Sequence, residues 1–269
     1  MASPLTIATI CLLLGEQITK IQAPIPHNAG RKVVSDLAKS IHDNMETNQN
    51  KKRVLPLLAL LPAGITAAKL AAAAGVVSAG ASLATMTIKA LTLLPYKVTM
   101  GMEVDNWTRF NMVNPEVTVK SGVIATSPVP VLSGQKEAMV ARKTAYSATG
   151  TFGVVSWEIE GKSRRVVVMW SVPYHYYGYR NTLAVGITKQ NANHDGGWAD
   201  QMYNYGSNAW IGFERKEYYD NVKTVAWEAP DLGLIVFATM GTVQHAVVQV
   251  TLSAKVVGDL AKPIQEKLG

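Results

Sequence analysis

Short apolar and alternating runs between residues 96 and 254 predict β-strands separated by turns. In the run from Val166 to Val172 both rows of side chains are mostly apolar, which is typical of a central strand buried on both faces. Many short strands with little helical pattern between them favour a β-sandwich or barrel. The predicted strands are Tyr96–Val104, Val117–Ile124, Lys143–Thr149, Thr151–Ile159, Arg165–Val172, Thr182–Thr188, Leu232–Thr239 and His245–Ser253.

The segment from Leu70 to Ile88 carries no charge and is rich in alanine, which favours helix. Its length is close to that of a helix crossing a bilayer. A hydroxyl-rich polar stripe on one helical face suits a helix that lines a water-filled lumen in an oligomer. A surface helix packed on the domain and a permanent single-span anchor over 70–88 are the alternatives. The pore-lining residues of the first interpretation are Ser78, Ser82, Thr85 and Lys89.

Two more helices are predicted towards the carboxyl terminus. Phe213–Asn221 is the candidate for a second helix beside the sandwich. Residues 255–269 form an appended extension whose apolar residues fall on one helical face, interrupted by Pro263. Those residues are Val256, Val257, Leu260, Ile264 and Leu268.

The amino-terminal part predicts secretion and processing. Residues 1–23 contain an apolar run and resemble a signal peptide, with cleavage at Ala23, although a buried helix is the alternative. Residues 24–53 are polar and end in the basic run 51–53, which indicates a pro-segment, unless that run is simply solvated. The mature chain would then begin at Val54, with residues 54–95 as a helical region and 96–254 as the sandwich. The sequon at Asn106 would be usable in a secreted chain.

Charge and cysteine content narrow the class of function. The chain of 269 residues has a net charge of +7, and part of that excess lies in residues 1–53. A modest positive charge suits a membrane surface and does not indicate nucleic-acid binding. The single cysteine, Cys11, excludes an intrachain disulfide. The five histidines lack metal-ligand spacing and no catalytic motif is present, so we expect neither an enzyme nor a metal or other cofactor.

Four tyrosines crowd the segment after the predicted strand that Pro173 ends: Tyr174, Tyr176, Tyr177 and Tyr179. A core does not use so many hydroxyls, because each buried hydroxyl needs a partner. Tyrosines clustered on a loop are typical of a binding surface or a lipid headgroup layer.

This segment resembles the SVPYDYxxYxN motif of the actinoporins, small pore-forming cytolysins of sea anemones with relatives in molluscs. The matching residues are Ser171, Val172, Pro173, Tyr174, Tyr176, Tyr179 and Asn181. Further segments resemble the family in the same order, among them 80–83, 120–122, 134–136 and 148–154. The resemblance implies a β-sandwich flanked by two helices, with an N-terminal helix that detaches and inserts into the membrane. It also implies a secreted protein that forms a homo-oligomer in a target cell membrane.

The resemblance further implies a phosphocholine pocket for sphingomyelin or another choline lipid. A quaternary ammonium binds aromatic faces, and its phosphate is held by hydroxyls or cations. Position by position, the pocket would use Ser121, Phe152, Ser171, Pro173, Tyr179 and the pair Tyr218 and Tyr219, with Tyr203 as a third helix tyrosine.

The chain departs from the family at its membrane-anchoring loop, where Gly178 and Thr182 stand in place of tryptophans. Other aromatic residues would then serve at the membrane interface, namely Tyr176, Tyr177, Trp198 and Trp210. The competing hypothesis is a non-lytic module of the same sandwich that binds lipid or sugar. The uncharged, hydroxyl-striped segment argues against it, because such a module has no use for a pore-lining helix.

Overall fold

Two β-sheets form the part of the chain that the computed structural model describes, which comprises residues 77–79, 96–220 and 223–268. The strands are β1 Ser78–Ala79, β2 Thr99–Asn106, β3 Met112–Ser121, β4 Val123–Thr126, β5 Gln135–Arg142, β6 Thr151–Ile159, β7 Arg164–Val172, β8 Asn181–Thr188, β9 Ile211–Tyr218, β10 Val225–Ala229, β11 Leu234–Met240 and β12 His245–Ala254. The helices are α1 Trp198–Asn204, a 3-10 turn Val257–Asp259 and α2 Lys262–Leu268.

The seven-stranded sheet has the order β1-β5-β2-β12-β11-β10, with β4 also paired to β5, and the five-stranded sheet has the order β3-β6-β7-β8-β9. Buried side chains from both sheets share one core, so the predicted β-sandwich is confirmed. The central strand β7 is buried on both faces as predicted. Val168 and Trp170 face the inter-sheet core, whereas Val167 and Met169 pack under α1.

Two predicted elements are wrong. Residues 211–218 form β9 instead of a helix, because β8 is wholly buried and β9 pairs with the edge of β8 that β7 leaves free. The charged residues of this segment lie on an edge strand of the sheet. The predicted strand Lys143–Thr149 is irregular, and the strand in this region is β5, which ends at Arg142.

The carboxyl-terminal extension forms a 3-10 turn and a separate short helix, where the sequence predicted one amphipathic helix. Leu260 and Ile264 are buried in the core, but Val256 and Val257 are exposed. Pro263 lies in the first turn of α2, where its missing N–H breaks no helical hydrogen bond. The extension therefore packs on the sandwich through its second half.

The sequon asparagine is enclosed by the fold. Asn106 is fully buried, and its Nδ2 donates to the carbonyls of Phe110 and Val131 at 2.7 and 3.0 Å. Its Oδ1 accepts from the backbone N–H and the hydroxyl of Thr108. The expectation of a usable glycosylation site is therefore wrong for the folded chain.

The uncharged segment is described only at residues 77–79. Ser78 and Ala79 pair in parallel with Gln135 and Lys136 of β5, and Val77 is buried in the core. Ser78 and Ala79 form a strand in this structure, and the rest of the predicted helix, beyond residues 77–79, lies outside the described residues. The signal peptide, the pro-segment and the residues Ser82, Thr85 and Lys89 lie outside the described residues. Within those that are described, no helix has the length and apolar character needed to cross a membrane.

Candidate functional site

Three residues of the predicted pocket lie side by side on the outer face of the five-stranded sheet. Phe152 of β6 is the register partner of Ser121 on β3 and of Ser171 on β7. Side chains of directly opposed residues lie on the same face of a sheet. The aromatic ring therefore stands between two serines near the end of the sheet from which the tyrosine loop leaves.

Helix α1 brings a fourth predicted residue to this row. Its apolar face, which includes Trp198 and Met202, is buried against β6, β7, β8 and β9. Lys120 of β3 forms an ion pair with Asp200 at 2.9 Å and ties the helix to the sheet edge. The ring of Tyr203 then lies against Phe152, with centroids 5.3 Å apart and an angle of 58° between the planes.

Two glycines, Gly122 and Gly150, adopt backbone positions next to Ser121 and β7 that a side chain would not allow. The Ser121 hydroxyl donates to the carbonyl of Gly150 at 3.3 Å. A Cβ on Gly150 would overlap the carbonyl oxygen of Val172, so no other residue allows β7 to approach so closely. Gly122, next to Ser121, has a φ of +89°, a conformation that favours glycine.

Hydrogen bonds from two consecutive residues, Arg180 and Asn181, hold the tyrosine loop, residues 173–180, in place. Arg180 donates through Nη1 to the carbonyls of Tyr176 and Tyr179. Asn181 is fully buried, accepts from the Tyr176 hydroxyl at 3.3 Å and donates to the carbonyls of Gly241 and Val243. The loop is thus held against the turn between β11 and β12.

The loop presents tyrosines at different depths. Tyr177 is 91% exposed and Tyr179 is also exposed, whereas Tyr176 is half-buried. Burial raises the pKa of Tyr176, and its hydrogen bond with Asn181 partly opposes that shift. Tyr177 is therefore accessible to a membrane interface, while Tyr176 acts mainly within the loop.

The predicted Tyr218–Tyr219 pair is split by the strand. Tyr219 is exposed, and the guanidinium carbon of Arg180 lies 4.1 Å from its ring centroid. Tyr218 is fully buried in the inter-sheet core, burial raises its pKa, and its hydroxyl has no hydrogen-bond partner among the described residues. The assignment of Tyr218 to the headgroup pocket is wrong for this structure, since no lipid can reach it.

The two tryptophans do not join the tyrosine loop. Trp198, the first residue of α1, is buried on the side of the helix that faces the sheet. Its assignment to the membrane interface is therefore wrong for this structure. Trp210 is exposed and lines a cleft of about 520 Å³ that also contains Asn191 and Gln201. It precedes Ile211, which pairs with Thr188, whereas the loop adjoins Asn181 at the opposite end of β8. A strand of this length spans roughly 25 Å, which separates Trp210 from the loop.

A polar cluster beneath α1 was not predicted. Arg165 is buried; it donates to the Ser156 hydroxyl at 2.8 Å and pairs with Glu116 at 3.1 Å. His194 lies within hydrogen-bond distance of Ser156 (2.9 Å) and Thr118 (3.0 Å). Burial lowers the pKa of His194, with Arg165 adding to the effect and Glu116 and Asp195 opposing it. The sequence did not indicate this network, because His194 stands alone in a polar segment with no motif around it.

Comparison with known proteins identifies relatives along most of the chain, although no family model matches it. Tereporin-Ca1 of Terebra anilis is 36% identical over 183 residues, which cover 65% of this chain and 95% of the relative. Conoporin-Cn1 of Conus consors is 33% identical over 199 residues, covering 73% and 79%. Echotoxin-2 of Monoplex parthenopeus is 37% identical over 198 residues, covering 70% and 69%.

Among solved structures, that of the lipid-binding protein Nakanori matches 58% of this chain and 71% of its own, with a TM-score of 0.43 and 14% identity. This likeness is too low to carry an argument, so the assignment rests on the sequence relatives. Those relatives are pore-forming proteins and toxins, not enzymes. The chain belongs to the family of actinoporin-like pore-forming proteins.

Proposed function

We propose that this protein is a secreted cytolysin that binds phosphocholine-headed lipid, assembles with copies of itself and opens a pore in the target membrane. The observation that carries the proposal is the Phe152–Tyr203 ring pair between Ser121 and Ser171. It lies at the end of the sheet where the exposed Tyr177 leaves the fold.

The chemistry of this site suits a choline headgroup. A quaternary ammonium offers no strong hydrogen bond and is attracted to aromatic faces, which Phe152 and Tyr203 supply. The two serine hydroxyls flank the ring; that of Ser171 can donate to the lipid phosphate, and that of Ser121 can do so by exchanging its long bond to the Gly150 carbonyl for the phosphate. The family resemblance would add Pro173 and Tyr179 of the tyrosine loop and Tyr219, which follows β9, to this site. Sphingomyelin is the choline lipid that we propose as the preferred ligand.

Pore formation would use residues 54–95 after removal of residues 1–53 at the two predicted cleavage points. The short parallel strand β1 holds this region at the edge of β5, and Val77 anchors it in the core. On the membrane this strand would be released, and residues 70–88 would become a helix with Ser78, Ser82, Thr85 and Lys89 towards the lumen. A two-residue strand is a weak attachment, which suits a segment that must leave.

The decisive measurement is dye leakage from three kinds of vesicle, namely phosphatidylcholine alone, phosphatidylcholine with sphingomyelin, and phosphatidylethanolamine with phosphatidylglycerol, which has no choline lipid. It uses the full chain and a chain that begins at Val54. We expect leakage that requires choline lipid, increases with sphingomyelin and is stronger for the shorter chain. Binding without leakage would replace the pore proposal by the non-lytic module. Equal leakage from vesicles without any choline lipid would reject the pocket.

An engineered disulfide between β1 and β5 would test whether lipid binding and membrane insertion are separate steps. Ala79→Cys and Lys136→Cys introduce cysteines at register partners of β1 and β5, with Cys11→Ser removing the native thiol. The oxidised protein should bind vesicles normally and release no dye, and reduction should restore leakage. Leakage from the fully oxidised form would show that insertion does not require release of β1.

A further inference from the structure

Three cations at the tyrosine-loop end of the sandwich lie against tyrosine rings. The Nζ of Lys97 is 4.1 Å from the ring centroid of Tyr174, and the Nζ of Lys143 is 5.7 Å from the same centroid. The guanidinium carbon of Arg142 is 4.1 Å from the ring centroid of Tyr96. Tyr174 belongs to the tyrosine loop, so these cations adjoin the surface that carries Tyr177.

The cluster also borders the candidate choline site. Arg142 ends β5, and the backbone N–H of Lys143 donates to the carbonyl of Val98 next to Lys97. A Cβ on Gly122 would meet the carbonyl oxygen of Arg142 at 2.5 Å. Since Gly122 follows Ser121, the backbone of Arg142 is adjacent to the first serine of the pocket.

Among the residues that the structure describes, no carboxylate forms an ion pair with these cations. Every ion pair within the described ranges uses other basic residues: Arg109, Lys120, Lys136, Arg164, Arg165 and Lys255. Lys143 is only 8% exposed, yet the one acceptor for its Nζ within the described part of the chain is the carbonyl of Thr144 at 2.7 Å. Arg142 similarly donates to the carbonyl of Lys143.

Stacking on tyrosine orients a cation without neutralising it, so the positive charge persists at the surface. A buried or half-buried cation without a counter-ion is costly, and an incoming anion recovers that cost. Guanidinium and ammonium groups together match a phosphate, which accepts several charge-assisted hydrogen bonds. The cluster is too small for a nucleic-acid surface, which uses a longer basic stripe.

We propose that Lys97, Arg142 and Lys143 form a second lipid site, which binds the phosphate of an acidic phospholipid beside the choline pocket. This inference rests on the proposed function only in taking the tyrosine-loop end as the end that faces the membrane. Each molecule would then hold a zwitterionic lipid and an acidic lipid at once, and the acidic lipid would add affinity without replacing the choline lipid.

The test measures binding of the full chain to three kinds of vesicle: phosphatidylcholine alone, phosphatidylcholine with phosphatidic acid, and phosphatidylcholine with a fatty acid at the same surface charge. Phosphatidic acid should strengthen binding much more than the fatty acid does. Equal strengthening would show a general response to surface charge and would overturn the site. Displacement by inorganic phosphate at constant ionic strength would also overturn it, since the site would then serve the free ion.

Matched variants locate the effect. The double variant Lys97→Gln with Arg142→Gln should lose the extra affinity that phosphatidic acid gives, and each cation should account for roughly fivefold of it. Its binding to vesicles of phosphatidylcholine alone should be unchanged. The control is Lys262→Gln with Lys267→Gln, an equal loss of charge from two exposed residues of α2. Equal losses in both double variants would overturn the proposal.

If the double variant fails to fold, the single variant Lys97→Gln, at an exposed residue, replaces it in the test. Its affinity for phosphatidic acid vesicles should fall about fivefold. The acidic lipid site is judged from vesicle binding alone, and dye release is measured beside it only to judge the pore proposal. Binding to phosphatidic acid vesicles without leakage would reject the pore proposal and still support the acidic lipid site.

Discussion

The ring of Tyr203 on α1 lies against the ring of Phe152 on β6, with centroids 5.3 Å apart. This contact joins the helix to the sheet at the position where Ser121 and Ser171 flank the aromatic ring. Two aromatic faces at an angle form a corner in which a quaternary ammonium can contact both. The helix therefore contributes to the site as well as covering the sheet.

Replacing Tyr203 by Ala should weaken binding to choline-lipid vesicles by about 3- to 30-fold, because one face of that corner is removed. Tyr203→Phe should retain most of the affinity, since the ring supplies the attraction. The measurement is vesicle co-sedimentation. Tyr205→Ala, which truncates an exposed tyrosine just after the same helix, is the control and should bind normally. An equal loss in both variants would argue for a general aromatic effect.

Tyr218→Phe should leave vesicle binding unchanged and keep or raise the free energy of unfolding. The hydroxyl is buried without a partner among the described residues, and removing such a group recovers a desolvation penalty of about 1–3 kcal/mol. Chemical denaturation measures the change. Reduced lipid binding with unchanged stability would return Tyr218 to the headgroup site.

Asn181→Ala should lower the free energy of unfolding by about 1–3 kcal/mol, because the carbonyls of Gly241 and Val243 lose the donor of a fully buried side chain and the Tyr176 hydroxyl loses its acceptor. Vesicle binding should fall as well, since the tyrosine loop is no longer held against the turn between β11 and β12. Asn191→Ala, at an exposed asparagine, should change neither quantity. Intact binding by the destabilised variant would show that the loop does not need this attachment.

The folded protein should lose stability on acidification through His194. Its pKa is lowered by burial and by Arg165, despite the carboxylates of Glu116 and Asp195, so the unfolded chain binds the proton more readily. The contribution is fully present above the ordinary histidine pKa of about 6.5 and is lost as pH falls through the lowered folded pKa.

Thermal unfolding measured from neutral to acid pH tests this. His194→Gln should reduce the slope of the melting temperature against pH in the range below about 6.5. His175→Gln, which changes an exposed histidine of the tyrosine loop, should leave the slope as in the native chain. A slope that His194→Gln does not change would exclude this histidine as the acid-sensitive group.

The sequence predicted the central strand β7 well, because its local pattern also determines that both of its faces are buried. Ser121, Phe152 and Ser171 follow from the resemblance to the actinoporins, and only the strand register brings them to neighbouring positions on one face of the sheet. Tyr218 and Tyr219 cannot be separated from the sequence, because it predicts a helix in this segment. In a strand, adjacent residues point to opposite faces, so one tyrosine enters the core and the other stays outside.

Two other features depend on contacts between distant residues that no local pattern contains. Trp198 was assigned to the membrane interface from its residue type, but α1 buries it against β7 and its neighbours. The stacking of Arg142 on Tyr96 joins residues at the ends of different strands, and it becomes visible only once β2 and β5 are paired.

The short strand β1 has a consequence for the proposed pore mechanism. If residues 77–79 leave at the membrane, the backbone of Gln135 and Lys136 would lose the partners that β1 supplies. An open strand edge invites pairing with other chains, and natural sheets discourage this with charged residues, especially lysine. Lys136 stands on this edge and lies 3.8 Å from Glu103 of the neighbouring strand. Under the proposed mechanism, the β5 edge that β1 leaves would thus carry a charge that discourages edge-to-edge pairing between sandwiches after insertion.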